Sequence, residues 1–241
     1  MLTMRAFLAC TTALFATHVG LAVPYLQLDI PSGIYDTTTD TEVATSSNFV
    51  LRALVNHAKP DFSKGGFYIS ATILPSSSDT DFGSFRVNGI TYSASPGGNM
   101  QYGTPPVDSE FPDLSPHGIY PAYYAEVAVT FNPANLIAAY NTEDQSPAGG
   151  SLTFNDFLID ASGLNPGLVV HFDLYQTEID VRTGKKHIIT NEYGTNFAPF
   201  SHDAEGGNHD IPQVPDNGAS IFLVGLGFVA LSALRTKFGQ S

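Results

Sequence analysis

Short stretches in which apolar and polar residues alternate are the feature that most constrains this chain. In residues 25–30 (YLQLDI) every second side chain is Leu or Ile, and in residues 168–176 apolar residues alternate with His171 and Asp173. A period of two places successive side chains on opposite faces of a β-strand. Clusters of Gly, Pro, Asn and Ser separate these stretches, and Asn88-Gly89 is typical of a tight β-hairpin. The sequence therefore predicts a mostly β protein, a single antiparallel β-sandwich or jelly-roll domain.

Further strands are predicted where β-branched and aromatic residues dominate. Residues 67–74 (FYISATIL) and 123–131 (YYAEVAVTF) have this composition. Residues 47–58 fit either a helix or a strand. Residues 132–141 fit a short helix with Asn132 as its N-cap and a proline in the next position.

The N-terminal residues have the layout of a secretory signal peptide. Arg5 precedes an apolar run, and the small residues Gly20 and Ala22 are spaced as in a cleavage site between Ala22 and Val23. We expect residues 1–22 to be removed during export by a Sec-type machinery.

The exported chain is predicted to contain no cysteine, because the single Cys10 lies inside the signal peptide. The alternative that Cys10 marks a lipoprotein is weakened by the few apolar residues before it. Disulfides are then excluded as a source of stability. The hydrophobic core, bound ions or neighbouring molecules have to stabilise the fold.

The chain ends in an apolar segment that is short for a membrane anchor. Residues 221–234 carry no charge, and Arg235 and Lys237 follow them. A helix of that length spans about 21 Å, whereas the hydrocarbon core of a bilayer is about 30 Å thick. Apolar residues cover every face, which disfavours the alternative of an amphipathic C-terminal helix. We predict a short transmembrane helix with its basic end in the cytoplasm.

The residues before this helix resemble a bacterial sorting signal. Val214, Pro215, Asp216 and Gly218, followed by the apolar helix and basic end, are similar to the Val-Pro-Asp variant of the PEP-CTERM signals. The resemblance implies a Gram-negative host and a membrane-embedded, exosortase-type protease that cuts near this tag. It also implies transient anchoring in the inner membrane, then a location at the cell surface or in the extracellular matrix. Asn217 departs from the pattern, in which Ser or Gly is more usual.

The body of the chain resembles the choice-of-anchor N family of bacterial extracellular proteins. The segments YLQLDI, YGTPPV, DLSPHGIYPAYYAE, VHFDLY and APFSHDAE carry the resemblance. It implies that His117, Gly118 and His171 belong to one architecture, and it implies no activity. The predicted organisation is a signal peptide (1–22), an extracellular body (23–205), a linker (206–213) and the sorting signal (214–241).

The acidic composition limits the classes of molecule that the protein is expected to bind. The chain has 23 Asp and Glu against 10 Lys and Arg, a net charge of −13. A field of this sign repels nucleic acid and anionic lipid, and it suits solubility or cation binding. The sequence lacks the motifs of nucleophile-elbow hydrolases, zinc proteases and nucleotide-binding folds. We therefore predict no nucleic-acid partner and no catalytic activity.

Two polar segments are candidates for metal binding. Asp79 and Asp81 stand close together in a loop and offer oxygen ligands to calcium, the cofactor that this composition suits, although a solvated turn has the same composition. His202 and Asp203, with a second His-Asp pair at residues 209–210, suit a transition metal. The glycines after Glu205 favour a linker for the later part of that segment.

Tyr120, Tyr123 and Tyr124 are candidates for glycan contact, because an aromatic ring stacks on the apolar face of a sugar. Core packing at the start of a strand is the alternative. The function predicted from the sequence is an exported surface or matrix protein associated with exopolysaccharide. The alternative is a secreted glycan-acting hydrolase or carbohydrate-binding enzyme; such hydrolases place two carboxylates about 5–10 Å apart across a cleft.

Overall fold

The computed structural model describes residues 23–56, 65–77, 80–183 and 189–207, and for residues 180–183 and 189–192 it describes the backbone alone. The prediction of a mostly β protein is confirmed. The strands are β1 (Leu26–Asp29), β2 (Ile34–Asp36), β3 (Thr41–Val43), β4 (Asn48–Asn56), β5 (Phe67–Leu74), β6 (Phe85–Val87), β7 (Ile90–Tyr92), β8 (Gln101–Gly103), β9 (Ala122–Val129), β10 (Leu136–Tyr140), β11 (Pro147–Asp160), β12 (Val169–Thr183), β13 (Ile189–Phe197) and β14 (Asp203–Gly207). Short 3-10 turns occur at Ser115–His117 and Phe200–His202.

The strands form two sheets. Sheet A has the order β1-β4-β11-β6-β7, with β10 also paired to β11. Sheet B has the order β2-β3-β14-β12-β5-β9-β8, with β13 also paired to β12. Paired strands are antiparallel except β3 and β14, which are parallel, so sheet B is mixed rather than purely antiparallel as predicted. The reason is that these two strands are far apart in the chain, and no hairpin turn fixes their relative direction.

The two sheets share one hydrophobic core. Leu26 and Leu28 of sheet A and Ile69 and Phe172 of sheet B are buried in the same cluster. Across the interface Phe49 and Phe172 make an edge-to-face contact, with ring centroids 6.2 Å apart and an interplanar angle of 75°. The period-two alternation in β1 and β12 therefore identified the core faces of these strands correctly.

The predicted hairpin is confirmed. Asn88 and Gly89 connect β6 to β7 and have φ values of 49° and 81°. A type I′ turn requires positive φ at both central residues, which explains why Asn and Gly are found here. Asn88 also fixes the hairpin to sheet A, because its Oδ1 accepts a hydrogen bond from the N–H of Leu158 at 2.8 Å.

The predicted helix at residues 132–141 is wrong. Asn132 does accept a hydrogen bond from the N–H of Ala134 at 3.0 Å, as an N-cap residue would. The chain then continues as β10, which pairs with β11 along the edge of sheet A. The local cap signal was correct, but pairing with a long strand outweighed weak helix propensity. The undecided segment 47–58 forms strand β4 over Asn48–Asn56.

A long loop covers the outer face of sheet B. Residues 104–121, here the covering loop, connect β8 to β9 and include the 3-10 turn Ser115–His117. Leu114 in this loop is 1% exposed. The N–H of Val107 donates to Glu126 Oε1 on β9 at 2.8 Å. The hydroxyl of Thr195 on β13 donates to the carbonyl of Pro112 at 2.9 Å. Polar side chains on this face are therefore buried under the loop instead of facing solvent.

Both terminal predictions fall on residues outside the described ranges. These residues are the signal peptide (1–22), the tag at residues 214–218 and the apolar segment 221–234. Within the described ranges, no helix has the length and apolar character that crossing a membrane requires. The signal peptide, the tag and the transmembrane helix stay predictions.

A buried acid near the core predicts a pH-dependent stability. Glu42 on β3 is 4% exposed. Burial, with the nearby charge of Asp29, raises the pKa of Glu42 from 4.5 to about 8. Between these two values the folded protein holds a proton that the unfolded chain has released, so the free energy of unfolding falls as the pH rises.

We expect Glu42→Gln to remove this dependence, because the amide is neutral at every pH. Urea unfolding should show the variant more stable than wild type near pH 8, on the order of 3 kcal/mol, and equally stable near pH 4. The difference between the two proteins isolates this group from other titrations. Parallel pH profiles for the two proteins would contradict the prediction.

A buried histidine–aspartate cluster as the candidate functional site

Four ionisable side chains meet between sheet B and the covering loop. His117 ends the 3-10 turn of the loop, His171 and Asp173 belong to β12, and Asp203 begins β14. One nitrogen or oxygen atom from each of the four lies within 4.8 Å of the others. We call these four residues the His/Asp cluster.

The alternation of β12 and the pairing of β14 bring three of these residues together. His171 and Asp173 occupy the outer face of sheet B because Phe172 between them points into the core. Phe172 pairs with Ala204 on β14, so Asp203, one position earlier, reaches the same outer face beside Asp173.

The covering loop supplies the fourth residue. His117 is followed by Gly118, which has a φ of 81° and ends the 3-10 turn in the left-handed conformation that glycine adopts without strain. The rings of His117 and His171 then lie with their centroids 5.0 Å apart.

The distances within the His/Asp cluster are short. His117 Nδ1 lies 2.6 Å from Asp173 Oδ1, and His117 Nε2 lies 3.1 Å from Asp203 Oδ2. His171 Nε2 lies 3.7 Å from Asp173 Oδ1 and 3.6 Å from Asp203 Oδ2. Each histidine therefore faces both carboxylates.

One atom from each residue is buried without a hydrogen-bond partner. These atoms are His117 Nδ1, His171 Nε2, Asp173 Oδ1 and Asp203 Oδ2. The close approach of His117 to Asp173 lacks hydrogen-bond alignment. The side chains of Asp203, Asp173 and His171 are only 1%, 3% and 5% exposed, so water does not reach them freely. Unpaired polar atoms at this depth are costly.

The pKa values in the cluster diverge. Burial raises the pKa of Asp203 to about 7, and the charge of Asp173 adds to this shift. Burial also opposes ionisation of Asp173, but the charges and contacts of His171 and His117 outweigh it and hold the pKa of Asp173 well below its usual range. For His171 burial lowers the pKa, but Asp173, Asp203 and Glu205 outweigh it and raise the pKa well above the ordinary value. Without a bound cation, the cluster has to balance two adjacent carboxylates with protons.

A shell of hydrogen bonds holds Asp173 in place. The Tyr120 hydroxyl donates to Asp173 Oδ2 at 2.6 Å and lies 3.0 Å from Thr72 Oγ1 and 3.2 Å from Ser70 Oγ. Burial and the neighbouring Asp173 charge raise the pKa of Tyr120 well above its ordinary value, so the hydroxyl keeps its proton and remains a donor.

Two further side chains border the histidines. Glu205 Oε2 lies 3.9 Å from His171 Nδ1, on the side of the ring away from the aspartates. Phe200 stacks on His117, with ring centroids 4.3 Å apart and an interplanar angle of 8°. Phe200 is 42% exposed and so forms the boundary between the cluster and solvent.

The three tyrosines predicted to contact glycan do not form one exposed platform. Tyr124 is 2% exposed, so its ring is inside the protein, which argues against stacking on a sugar. Tyr120 directs its hydroxyl into the His/Asp cluster. Tyr123 is half-buried and makes an edge contact with Tyr102, with centroids 5.2 Å apart.

The predicted metal ligands are only partly brought together. Asp81 is exposed, and its backbone carbonyl accepts a hydrogen bond from Asn165 at 2.7 Å; Asp79 lies outside the described residues. The calcium site therefore stays a prediction. Asp203 belongs to the His/Asp cluster.

His202, the neighbour of Asp203, lies apart from the cluster. Its Nε2 contacts Asn141 Oδ1 at 2.9 Å, and its Nδ1 contacts Ser201 Oγ at 2.9 Å. His209 and Asp210 lie outside the described residues.

Comparison with known proteins adds no residue roles. No protein-family model matches this sequence, and a search of curated proteins finds no match. The resemblances drawn from the sequence stay expectations, and the roles of the clustered residues rest on geometry.

Proposed function

We propose that this chain is an exported bacterial surface or extracellular-matrix protein with a non-catalytic β-sandwich body. A protease of the exosortase type cuts it near Val214–Gly218 after transient anchoring in the inner membrane. The protein then associates with exopolysaccharide outside the cell. The signal-peptide layout, the C-terminal tag and the two-sheet body support this proposal together.

The observation that carries the proposal is the position of the last described strand. β14 ends at Gly207, shortly before the tag begins at Val214, and it lies inside sheet B between β3 and β12. Cleavage near the tag therefore leaves every described strand intact. A strand paired on both sides shortly before a cleavable tail is compatible with release of the described body from an anchor.

The surroundings of the acidic residues support a non-catalytic body. The carboxylates of the His/Asp cluster are buried under the covering loop, whereas glycan hydrolysis needs a pair that a polymer can reach. A surface cavity of about 570 Å³ next to sheet A is lined by Asn48, Arg86, Leu158 and Asp160 among others, with Asp160 as its acidic residue. The Asp160 carboxylate accepts hydrogen bonds from Ser162.

Tyr102 and Tyr123 support a weak contact with a neutral polymer. Tyr102 is 51% exposed and packs edge-on against Tyr123. An exposed ring held by a second ring offers apolar area for stacking at small entropic cost. Of the three tyrosines predicted from the sequence, Tyr123 is the one that borders such a surface.

Cleavage of the C-terminal tail is the property that tests the proposed function. We expect a chain carrying Pro215→Ala and Asp216→Ala to accumulate uncut in the inner membrane of the native host, because proline keeps the tag extended for the protease. Intact-mass measurement should find the tail on this variant and its loss from the wild type. A chain with the tag intact and residues 221–234 replaced by a longer apolar span is the matched control for anchoring. Finding the complete tail on mature wild-type protein would overturn the proposal.

A further inference from the structure

We propose that the His/Asp cluster binds one transition-metal dication, with one nitrogen from each of His117 and His171 and one oxygen from each of Asp173 and Asp203 as ligands. The site goes beyond the proposed surface role and does not depend on it. Neither the calcium candidates of the sequence nor a known ligand motif contains these four residues together.

The unpaired atoms are the first argument for an ion. All four residues of the cluster contribute one buried atom that has no hydrogen-bond partner. Buried polar atoms in a folded protein are normally paired, and a group of four that converge on one point indicates a missing common partner. A metal ion satisfies all four at once by accepting their lone pairs.

Charge is the second argument. Asp173 and Asp203 lie next to each other and are almost fully buried. Two adjacent carboxylates at this depth repel each other and are poorly solvated, so they need positive charge beside them, which either protons on the cluster or a bound cation supplies. A dication bound by two carboxylates and two neutral imidazoles makes the group electrically neutral.

The ligand types and spacing select the class of metal. Ligand atoms around a tetrahedral ion with bonds of about 2.0 Å are about 3.3 Å apart. The distances of 3.6 Å and 3.7 Å from His171 Nε2 to the two carboxylates are near that value. The four ligand atoms all lie within 4.8 Å of one another, so small side-chain movements bring them onto one ion. Calcium and magnesium prefer shells of oxygen alone, whereas imidazole suits zinc and its first-row neighbours.

The outer shell is built to orient the ligands. Tyr120 donates to the second oxygen of Asp173, which leaves Oδ1 directed toward the centre. Glu205 faces Nδ1 of His171, an arrangement that favours a proton on Nδ1 and a lone pair on Nε2. Carboxylates and hydroxyls in these positions commonly support metal-bound histidine and aspartate.

The site is closed, which indicates a stabilising role for the ion. Four protein ligands complete a tetrahedral shell and leave no open position for a substrate. One ligand comes from the covering loop and three from β12 and β14. The ion therefore joins the loop to two strands of sheet B, as a disulfide does where two cysteines are available.

Metal binding by the purified full chain tests the proposal. The metal content is measured after purification without chelator, and the apoprotein is titrated with Zn²⁺ and separately with Ca²⁺. We expect about one zinc ion per chain and at least about tenfold weaker binding of calcium than of zinc. Co²⁺ should give the intense visible absorption of a four-coordinate site.

Two histidine variants provide a matched pair. His117→Gln should weaken zinc binding at least about tenfold, because it removes a ligand on the loop without changing a strand. His202→Gln should bind zinc as the wild type does, since this buried histidine contacts Asn141 and Ser201 outside the cluster.

Several results would overturn the site. They are absence of zinc binding, equal affinity for zinc and calcium, or equal zinc affinity in wild type and a folded His117→Gln. If that variant does not fold, the cobalt spectrum of the wild type decides, and a six-coordinate spectrum rejects the site. Tail processing plays no part in these measurements, so the metal site and the surface role fail separately.

Discussion

Removal of the dication proposed for the His/Asp cluster should lower the thermal midpoint of the purified protein by about 5–10 °C. An ion at a hundredfold excess over its Kd stabilises the folded state by about 2.7 kcal/mol if the unfolded chain does not bind it. For a domain of this size each kcal/mol shifts the midpoint by about 2–4 °C. The ligands come from the covering loop, β12 and β14, so the unfolded chain does not hold them together.

The measurement compares thermal unfolding in chelator, in excess zinc and in excess calcium. Wild type should respond to zinc, and His117→Gln should have nearly the same midpoint in zinc and in chelator. A rise in calcium without a rise in zinc would favour the loop of Asp79 and Asp81 instead. Identical midpoints in all three conditions would show that no cation stabilises the fold, and that the acidic composition serves solubility.

Phe172→Ala should lower the free energy of unfolding by about 3–5 kcal/mol. Phe172 is 0% exposed, lies on β12 in the middle of sheet B and packs edge-on against Phe49 of sheet A. Its truncation leaves a cavity where the two sheets meet, and strands paired on both sides cannot collapse to fill it.

Leu158→Ala is the control for Phe172→Ala. Leu158 lies on β11 and is 66% exposed, so truncating this apolar side chain to Ala should change stability by no more than about 0.5 kcal/mol. Urea unfolding of the two variants gives the comparison. Similar losses in both would mean that the core is not where the two sheets place it.

The strands could be predicted because their faces are encoded locally. In β1 and β12 a period of two separates core residues from the rest, and the Asn88-Gly89 turn fixes its hairpin through the φ values of two residues. Local sequence patterns predicted the wrong secondary structure where pairing with a distant strand determines the conformation. The side chain of Asn132 accepts a hydrogen bond as a helix cap does, yet the following residues form β10 because they pair with β11.

The His/Asp cluster could not be predicted as a unit, because its parts meet only through the register of β12 with β14 and the path of the covering loop. Alternation assigned His171 and Asp173 to a polar face, and a polar face normally meets water. One signal was present: a histidine and an aspartate on the same face of a strand otherwise rich in core residues. The same covering loop explains Tyr124, whose ring is enclosed under it instead of reaching a sugar.

The place of β14 in sheet B sets the order in which the protein can mature. A chain that emerges from the ribosome, or threads through a membrane with its N-terminus first, presents β3 and β12 before Asp203–Gly207 arrives between them, with only β13 separating β12 from β14. Until then these two strands have unpaired edges, which are sites for aggregation and for proteases. Asp203 arrives with the same strand, so the pairing of β14 also completes the His/Asp cluster. A polypeptide that stops short of β14 therefore leaves the facing edges of β3 and β12 unpaired. A chain that includes β14 pairs both edges.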